Sequence, residues 1–123
     1  MKFKPLVHPL NKRIESTAEV KGGDLVAVPY GHGGMQVVKV ERVTKTLIIG
    51  GNDRLNPKAT GVYVVTPELL TSIRRARDID LLYKRVTTLA RALNPWGGRP
   101  DISRAAIDAL NAACDLVEQE AVG

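Results

Sequence analysis

The first part of the chain alternates short apolar runs with glycine-containing turns. Residues 25–28 are apolar, residues 31–34 form a glycine-rich turn, and residues 36–43 alternate β-branched with charged side chains. Alternation over four to eight residues is typical of a half-buried strand, and glycine clusters separate strands. The pattern therefore predicts two antiparallel strands joined by a hairpin turn.

The strand pattern continues to residue 65. The alternation changes phase near residues 43–45, which predicts a bulge or turn before a strand resumes at residues 46–49. Residues 50–53 then turn the chain, and a further apolar strand is predicted at residues 62–65. Several short strands connected by glycine turns suit a small, strongly bent barrel.

The second part of the chain has helical signals. Thr66 can cap free backbone N–H groups and Pro67 fits the first helical position, so a helix is predicted from Pro67 to about Leu93. We expect its apolar side chains to form one buried stripe. The stripe comprises Leu69, Ile73, Ala76, Tyr83, Val86, Ala90 and Leu93.

A turn over residues 94–98 ends this helix, and a second helix is predicted from about Asp101. Because the connection is short, the two helices are expected to form an antiparallel hairpin. The second helix is expected to bury Ile107, Leu110, Cys114 and Val117. Cys114, the only cysteine, is interpreted as a small core residue, with a reactive thiol as the alternative.

These elements predict an α+β fold in three segments. Residues 1–20 form an extended arm, because Pro5 and Pro9 exclude a regular helix, and the arm is either an edge strand or a docking tail. Residues 21–66 form a β-barrel, and residues 67–121 form a two-helix hairpin that packs on the barrel or projects from it. A length of 123 residues suits one folding unit.

The barrel segment resembles a known group of folds. Its glycine-aspartate entry, glycine turn and valine-rich second strand resemble SH3-like small barrels of the KOW and Tudor type. A narrower stretch is similar to small proteins of unassigned function encoded by bacteriophages and prophages. That stretch contains Val40, Val43, Thr44, Lys45, Thr46 and Ile48. The resemblance implies binding to a nucleic acid, a ribosome, RNA polymerase or a peptide, without selecting among them.

Charge is unevenly distributed along the chain. The formal net charge is +5, but residues 1–66 carry ten basic and five acidic side chains, residues 67–99 seven and three, and residues 100–123 one and five. A basic body therefore precedes an acidic last segment. The basic body is the part suited to a polyanionic partner.

The basic side chains are the main candidates for a binding site. They fall on one predicted hairpin, on the loop after it and near the start of the first helix. The candidates are Lys39, Arg42, Lys45, Arg54, Lys58, Arg74, Arg75 and Arg77. Such residues give salt-sensitive contacts to phosphates of DNA or RNA. The alternative is an ordinary mixed surface, since acidic residues interrupt the set.

No arrangement of residues indicates catalysis, so we expect a protein without enzyme activity. His8, His32 and Cys114 do not have the paired spacing of a structural zinc site, and no cofactor motif is present, so no metal or cofactor is expected. No apolar run approaches the length of a membrane span, and we expect a cytoplasmic protein, in the host cytoplasm if it is phage-encoded.

Two other functions remain open at this point. Trp96 lies in the turn between the predicted helices, where it can anchor a protein partner or fold back over the hairpin. A protein-interaction module of phage or mobile-element origin, which inhibits or modulates a host protein or a defence complex, is the second hypothesis. The third is a structural subunit that forms a homodimer through its helical hairpin.

Overall fold

The computed structural model describes residues 1–122 and shows an α+β fold with two small antiparallel sheets and two α-helices. One sheet has the strand order β2-β1-β6 and the other the order β3-β4-β5. The strands are β1 (Leu25–Tyr30), β2 (Gly34–Lys39), β3 (Arg42–Val43), β4 (Ile48–Gly50), β5 (Asp53–Leu55) and β6 (Tyr63–Val64). The helices are α1 (Pro67–Ala92) and α2 (Arg104–Glu118).

The first sheet contains the predicted hairpin and part of the N-terminal arm. β1 and β2 pair from Leu25 opposite Lys39 to Tyr30 opposite Gly34, which confirms the antiparallel pair and its glycine turn. On the other side of β1, β6 continues the sheet. The arm lies along the outer edge of β6, where the Val64 N–H donates to the Lys12 carbonyl at 2.8 Å.

The predicted strand over residues 36–43 is divided between the two sheets. The Val40 N–H donates to the Asp24 carbonyl at 2.8 Å, which keeps Val40 beside β1. The next N–H, of Glu41, donates instead to the Ile49 carbonyl in the second sheet, also at 2.8 Å. The chain therefore passes from one sheet to the other at residues 40–41, where continuous alternation in the sequence predicted a single strand.

The second sheet contains a strand that the sequence pattern did not predict. β5 pairs with β4 around a two-residue loop, Gly51-Asn52, with Gly50 opposite Asp53. Gly51 has a φ of 56°, which matches the positive φ that a type II′ hairpin turn requires at its first loop position. The predicted turn over residues 50–53 is thus the centre of a hairpin, and its second strand is too short and polar to show as an apolar run.

One apolar core joins the two sheets. Its buried members are Ile14, Val20, Val26, Val28, Val38, Val40, Ile48 and Val62, with Val43, Leu55 and Val64 packed against them. The cluster draws on the arm as well as on both sheets. The arm therefore contributes residues to the core, and is not a tail docked on the outside of the two sheets.

The chain divides into two compact units, at places that differ from the segments expected from the sequence. The sheet unit spans Val7–Ile79, and the helical unit combines Met1–Leu6 with the chain from Asp80 onward. α1 begins in the sheet unit as predicted: Thr66 Oγ1 accepts from the Leu69 N–H at 3.2 Å, and the Leu69 side chain is fully buried. His8 Nδ1 lies 2.7 Å from Ser72 Oγ and links the arm to this first part of α1.

The helical unit corrects the predicted burial. Tyr83 and Val86, expected on a buried stripe of α1, are 72% and 52% exposed. In α2, Leu110 and Val117 are 38% and 45% exposed, and Cys114 is exposed, so the expectation that α2 buries them is wrong. Their periodicity correctly indicated an apolar face, but most of that face is exposed in the described residues.

The structure does not show the extensive contact between α1 and α2 that the predicted antiparallel hairpin would give. α2 begins at Arg104, three residues after the expected start, because Ser103 Oγ accepts from the Ala106 N–H at 3.1 Å and so caps the helix. The last residues return to the start of the chain, where the Val122 N–H donates to the Lys2 carbonyl at 2.7 Å. Neither helix in residues 1–122 is long and apolar enough to cross a membrane.

Candidate functional site

The second sheet places two of the candidate arginines on one face. Arg42 lies opposite Ile49, and Ile49 lies opposite Arg54, so these three residues form one row across β3, β4 and β5. Directly opposed residues on paired strands share a face, and adjacent residues along a strand point to opposite faces. The neighbouring row contains Ile48, which is fully buried in the core. The row with the arginines therefore faces away from the core.

We call this row of Arg42, Ile49 and Arg54 the basic sheet face. Both arginines are exposed and Ile49 is partly buried between them. Strands lie about 4.8 Å apart, so two strand spacings separate the arginine backbones by about 10 Å. The rigid sheet thus holds two guanidinium groups on either side of a small apolar centre.

Lys45 and Lys58 come together at a second place. Both line a cavity of about 160 Å³ beside the arm residues Ser16 and Thr17. The Thr17 hydroxyl donates to the Lys45 carbonyl at 3.1 Å, and Asn56 Oδ1 accepts from the Lys58 N–H at 3.0 Å. These bonds fix the two backbones while both lysine side chains stay exposed.

The wall that the arm contributes to this cavity is held by a capping box. The Glu19 carboxylate accepts from the N–H groups of Glu15 at 2.7 Å and Ser16 at 2.9 Å, and pairs with Lys12 Nζ at 3.2 Å. The hydrogen bonds from Glu15 and then Ser16, together with the contact from Lys12, lower the pKa of Glu19. The charged form of Glu19 therefore stabilises the short helical turn Thr17–Glu19, and the bond from the Thr17 hydroxyl to Lys45 holds that turn against the β3–β4 hairpin.

Lys39 lies in a different environment from the two arginines. It lines a groove of about 560 Å³ between β2 and the β4–β5 hairpin, together with Glu41 and Asp53. Two acidic groups in the same groove offset its charge. The structure therefore places Lys39 apart from the basic sheet face.

The three candidate arginines of the helix, Arg74, Arg75 and Arg77, are exposed on α1 and not on either sheet. None of the eight candidate basic residues forms an ion pair within the part of the chain that the structure describes. The ion pairs there are Lys12 with Glu19 and Arg104 with Asp108. These charges are therefore not neutralised by ion pairs within the described residues, although Lys39 shares a groove with acidic groups.

Trp96 lies in a short helical turn, Pro95–Gly97, which Asn94 caps by accepting from the Trp96 N–H at 3.1 Å. Its side chain is 94% exposed. Of the two alternatives considered for this ring, the structure shows the exposed one. Across residues 1–122, no group of three or more His, Cys, Asp or Glu side chains could hold a metal ion.

The sequence predicted one surface of the helical unit only in outline, as a homodimer contact of the helical hairpin. It consists of apolar side chains that recur at alternating intervals of three and four residues on each helix. On α1 they are Leu82, Val86 and Leu89, and on α2 they are Ile107, Leu110, Cys114 and Val117. We call these sets the α1 seam and the α2 seam. Val86 and the four α2 residues were interpreted as core, because periodicity does not distinguish a buried face from an exposed one, and Leu82 and Leu89 were not singled out.

Comparison with known proteins does not add a relative: no family model matches the chain, and no curated protein or solved structure is significantly similar to it.

Proposed function

We propose that this protein is a non-catalytic binding module that contacts the phosphates of DNA or RNA through exposed basic residues of its sheet unit. The observation that carries the proposal is the basic sheet face, where Arg42 and Arg54 flank Ile49 on a rigid three-stranded sheet. Arginine presents a planar set of donors that suits phosphate oxygens. A rigid sheet holds these donors in place before the partner binds.

Three further features support a polyanionic partner. The sheet unit has eleven basic and seven acidic residues, a net charge of +4. Lys45 and Lys58 add a second pair of exposed cations at the arm cavity. Arg74, Arg75 and Arg77 extend the positive charge along the first part of α1. Contacts of this type give affinity without base-specific recognition.

The resemblance to SH3-like barrels belongs to this proposal. Valine-rich antiparallel strands, glycine hairpins and a chain that passes between two sheets at residues 40–41 support it. The origin in a bacteriophage or prophage, and with it a location in the host cytoplasm, is proposed on the stretch from Val40 to Ile48 alone.

The proposal is tested by fluorescence anisotropy with DNA and RNA probes over a range of salt concentrations. Binding should weaken linearly in log salt, with a slope that reports the number of phosphates neutralised. Replacing both Arg42→Ala and Arg54→Ala should reduce that slope by about two. The matched control, Lys4→Ala with Lys21→Ala, removes the same charge elsewhere and should change the slope less.

Two outcomes would contradict the proposal. One is the absence of binding to either probe at low salt. The other is an equal loss of slope in the arginine pair and in the control pair, which would show that net charge and not the basic sheet face attracts the probe. Circular dichroism of each variant confirms that its fold is retained.

A protein partner is the second candidate, and the exposure of Trp96 favours it. An indole that is 94% exposed in a capped turn resembles the aromatic anchors found at interface hot spots. In this alternative the protein modulates a host protein or defence complex. Trp96→Ala should then abolish capture of that partner while anisotropy with nucleic acid is unchanged.

A further inference from the structure

Within the described residues, the apolar side chains of the α1 and α2 seams are exposed except for Ile107, which is partly buried. Leu82, Val86 and Leu89 of the α1 seam are 54%, 52% and 41% exposed. In the α2 seam, Leu110 and Val117 are 38% and 45% exposed. Contiguous apolar surface of this kind marks an interaction site on a stable protein.

Both seams have the repeat of a coiled coil. Intervals of four and three separate the members of the α1 seam, and intervals of three, four and three separate those of the α2 seam. Alternating intervals of this kind are the a and d positions of a heptad, which insert into holes on a facing helix. Each helix therefore presents a surface that matches another helix with the same repeat.

The charges beside the seams are of opposite sign. Residues 80–99 contain four basic side chains and one acidic, whereas residues 100–123 contain one basic and five acidic. In the heptad, Arg85 lies beside the α1 seam and Glu118 lies beside the α2 seam, whereas Lys84 and Asp115 lie further round their helices. No ion pair joins the two helices within residues 1–122, where the α2 pair, Arg104 with Asp108, is internal to one helix.

We infer that the helical unit is a dimerisation surface whose partner is a second copy of this chain, with the α1 seam of each copy covered by the α2 seam of the other. The two seams match in repeat and are opposite in flanking charge, so the complement of each helix is found on the same chain. A two-fold axis then forms both contacts at once, as a self-complementary interface requires. The result is a four-helix arrangement that buries all the seam residues.

The inference is independent of nucleic-acid binding, because it uses residues of the helical unit and none of the eight candidate basic residues of the sheet unit. Its first test is the mass of the full chain in solution by light scattering coupled to size exclusion. Since one chain has a mass of 13.4 kDa, the eluting species should have twice that mass. The mass of a single copy at about 100 μM, well above the dissociation constant of a stable dimer, would overturn the inference.

Two adjacent leucines provide a matched pair of variants. Leu82 belongs to the α1 seam and is 54% exposed, whereas Leu81 lies off the seam and is 53% exposed. Leu82→Glu should give the mass of one copy, and Leu81→Glu should keep the mass of two. Because the two variants have the same chemistry and exposure, an equal effect of both would show that the seam is not the interface.

Charge reversal then identifies which helices meet. Arg85→Glu places acidic side chains beside both seams, and Glu118→Lys places basic side chains beside both. Each variant alone should raise the dimer dissociation constant by about tenfold or more, because like charges then face each other. Mixing the two variants should restore association as a heterodimer. If neither variant alone weakens the dimer, α1 meets α1 across the axis and the stated pairing is wrong.

Cys114 provides a chemical readout of the same pairing, since it is the only cysteine and lies in the α2 seam. With Val86→Cys, mild oxidation should link the α1 seam of one chain to Cys114 of another and give a covalent dimer on a non-reducing gel. Oxidation that gives only a disulfide within one chain would show that the seams cover each other internally, and would overturn the dimer. The single-cysteine chain serves as the control for crosslinking of Cys114 to itself.

Discussion

The two units of this chain differ in where their apolar residues find contacts. Every buried hydrophobic residue lies between Ile14 and Leu69, inside the sheet unit. In the helical unit, no residue in 1–6 or 80–122 is buried, and Leu82 and Leu116 are more than half exposed. The sheet unit encloses a core from the arm and both sheets, whereas two separate helices cannot enclose one. The difference shows that a regular apolar pattern in the sequence does not by itself place its residues in a core.

The largest expected effect is in the core of the sheet unit. Ile48 is fully buried and belongs to the cluster that joins the two sheets. Ile48→Ala should lower the free energy of unfolding by about 2–5 kcal/mol, because it removes buried methyl groups and leaves a cavity. Leu81→Ala, at an exposed leucine of the helical unit, should change it by less than about 0.5 kcal/mol. Urea unfolding monitored by circular dichroism measures both changes. Comparable losses of unfolding free energy in the two variants would contradict the difference drawn between the units.

A smaller effect is expected where the two sheets approach each other. A Cβ on Gly50 would lie 2.6 Å from Val38 Cγ1 and closer still to the Lys39 carbonyl oxygen. Gly50→Ala should therefore destabilise the protein by about 1–3 kcal/mol through overpacking. Gly97 has no heavy atom within 4 Å of such a Cβ, so Gly97→Ala serves as the control. The same urea titration compares them, and a neutral Gly50→Ala would show that the sheets are not held closely at this point.

The smallest effect concerns the capping box of the arm. Because hydrogen bonds lower the pKa of Glu19 in the folded state, its charged form stabilises the fold at neutral pH. A folded-state pKa below the unfolded value gives stability that is complete above the unfolded pKa and is lost as pH falls through the folded pKa. Glu19→Gln should thus lower the melting temperature at pH 7, and the difference from the wild type should narrow as the pH is lowered and Glu19 takes up a proton. Melting curves over a series of pH values below 7 check this, and a difference independent of pH would mean that charge is not involved.

The sequence predicted the elements whose signal is local. Thr66 and Pro67 predicted the start of α1, and glycines on either side of residue 32 predicted the β1–β2 hairpin. The sequence did not predict β5, because Asp53 and Arg54 give no apolar alternation. It also did not show the division of the predicted 36–43 strand, because Val40 and Glu41 bond to different sheets and only tertiary structure decides this.

The candidate site was predictable in residue type more than in arrangement. The basic residues were chosen by charge, but the alignment of Arg42 with Arg54 depends on the register of β3, β4 and β5. That register could not be derived from the sequence, because the sequence pattern did not predict β5. Likewise, the place of Lys39 between Glu41 and Asp53 depends on contacts between residues of different strands. The exposure of the two seams required the structure, since a heptad pattern is the same in a core and at an interface.

The comparison between the units is tested most directly by amide hydrogen exchange at two protein concentrations, one well above and one well below the dimer dissociation constant. The account predicts that amides of α1 beyond Asp80 and of α2 exchange more slowly at the higher concentration, because association covers these helices. Amides of β1 and β2, whose core is complete within one chain, should exchange at the same rate in both samples. Helical amides with equal protection at both concentrations would contradict the account, because the helical unit would then be complete without a second copy.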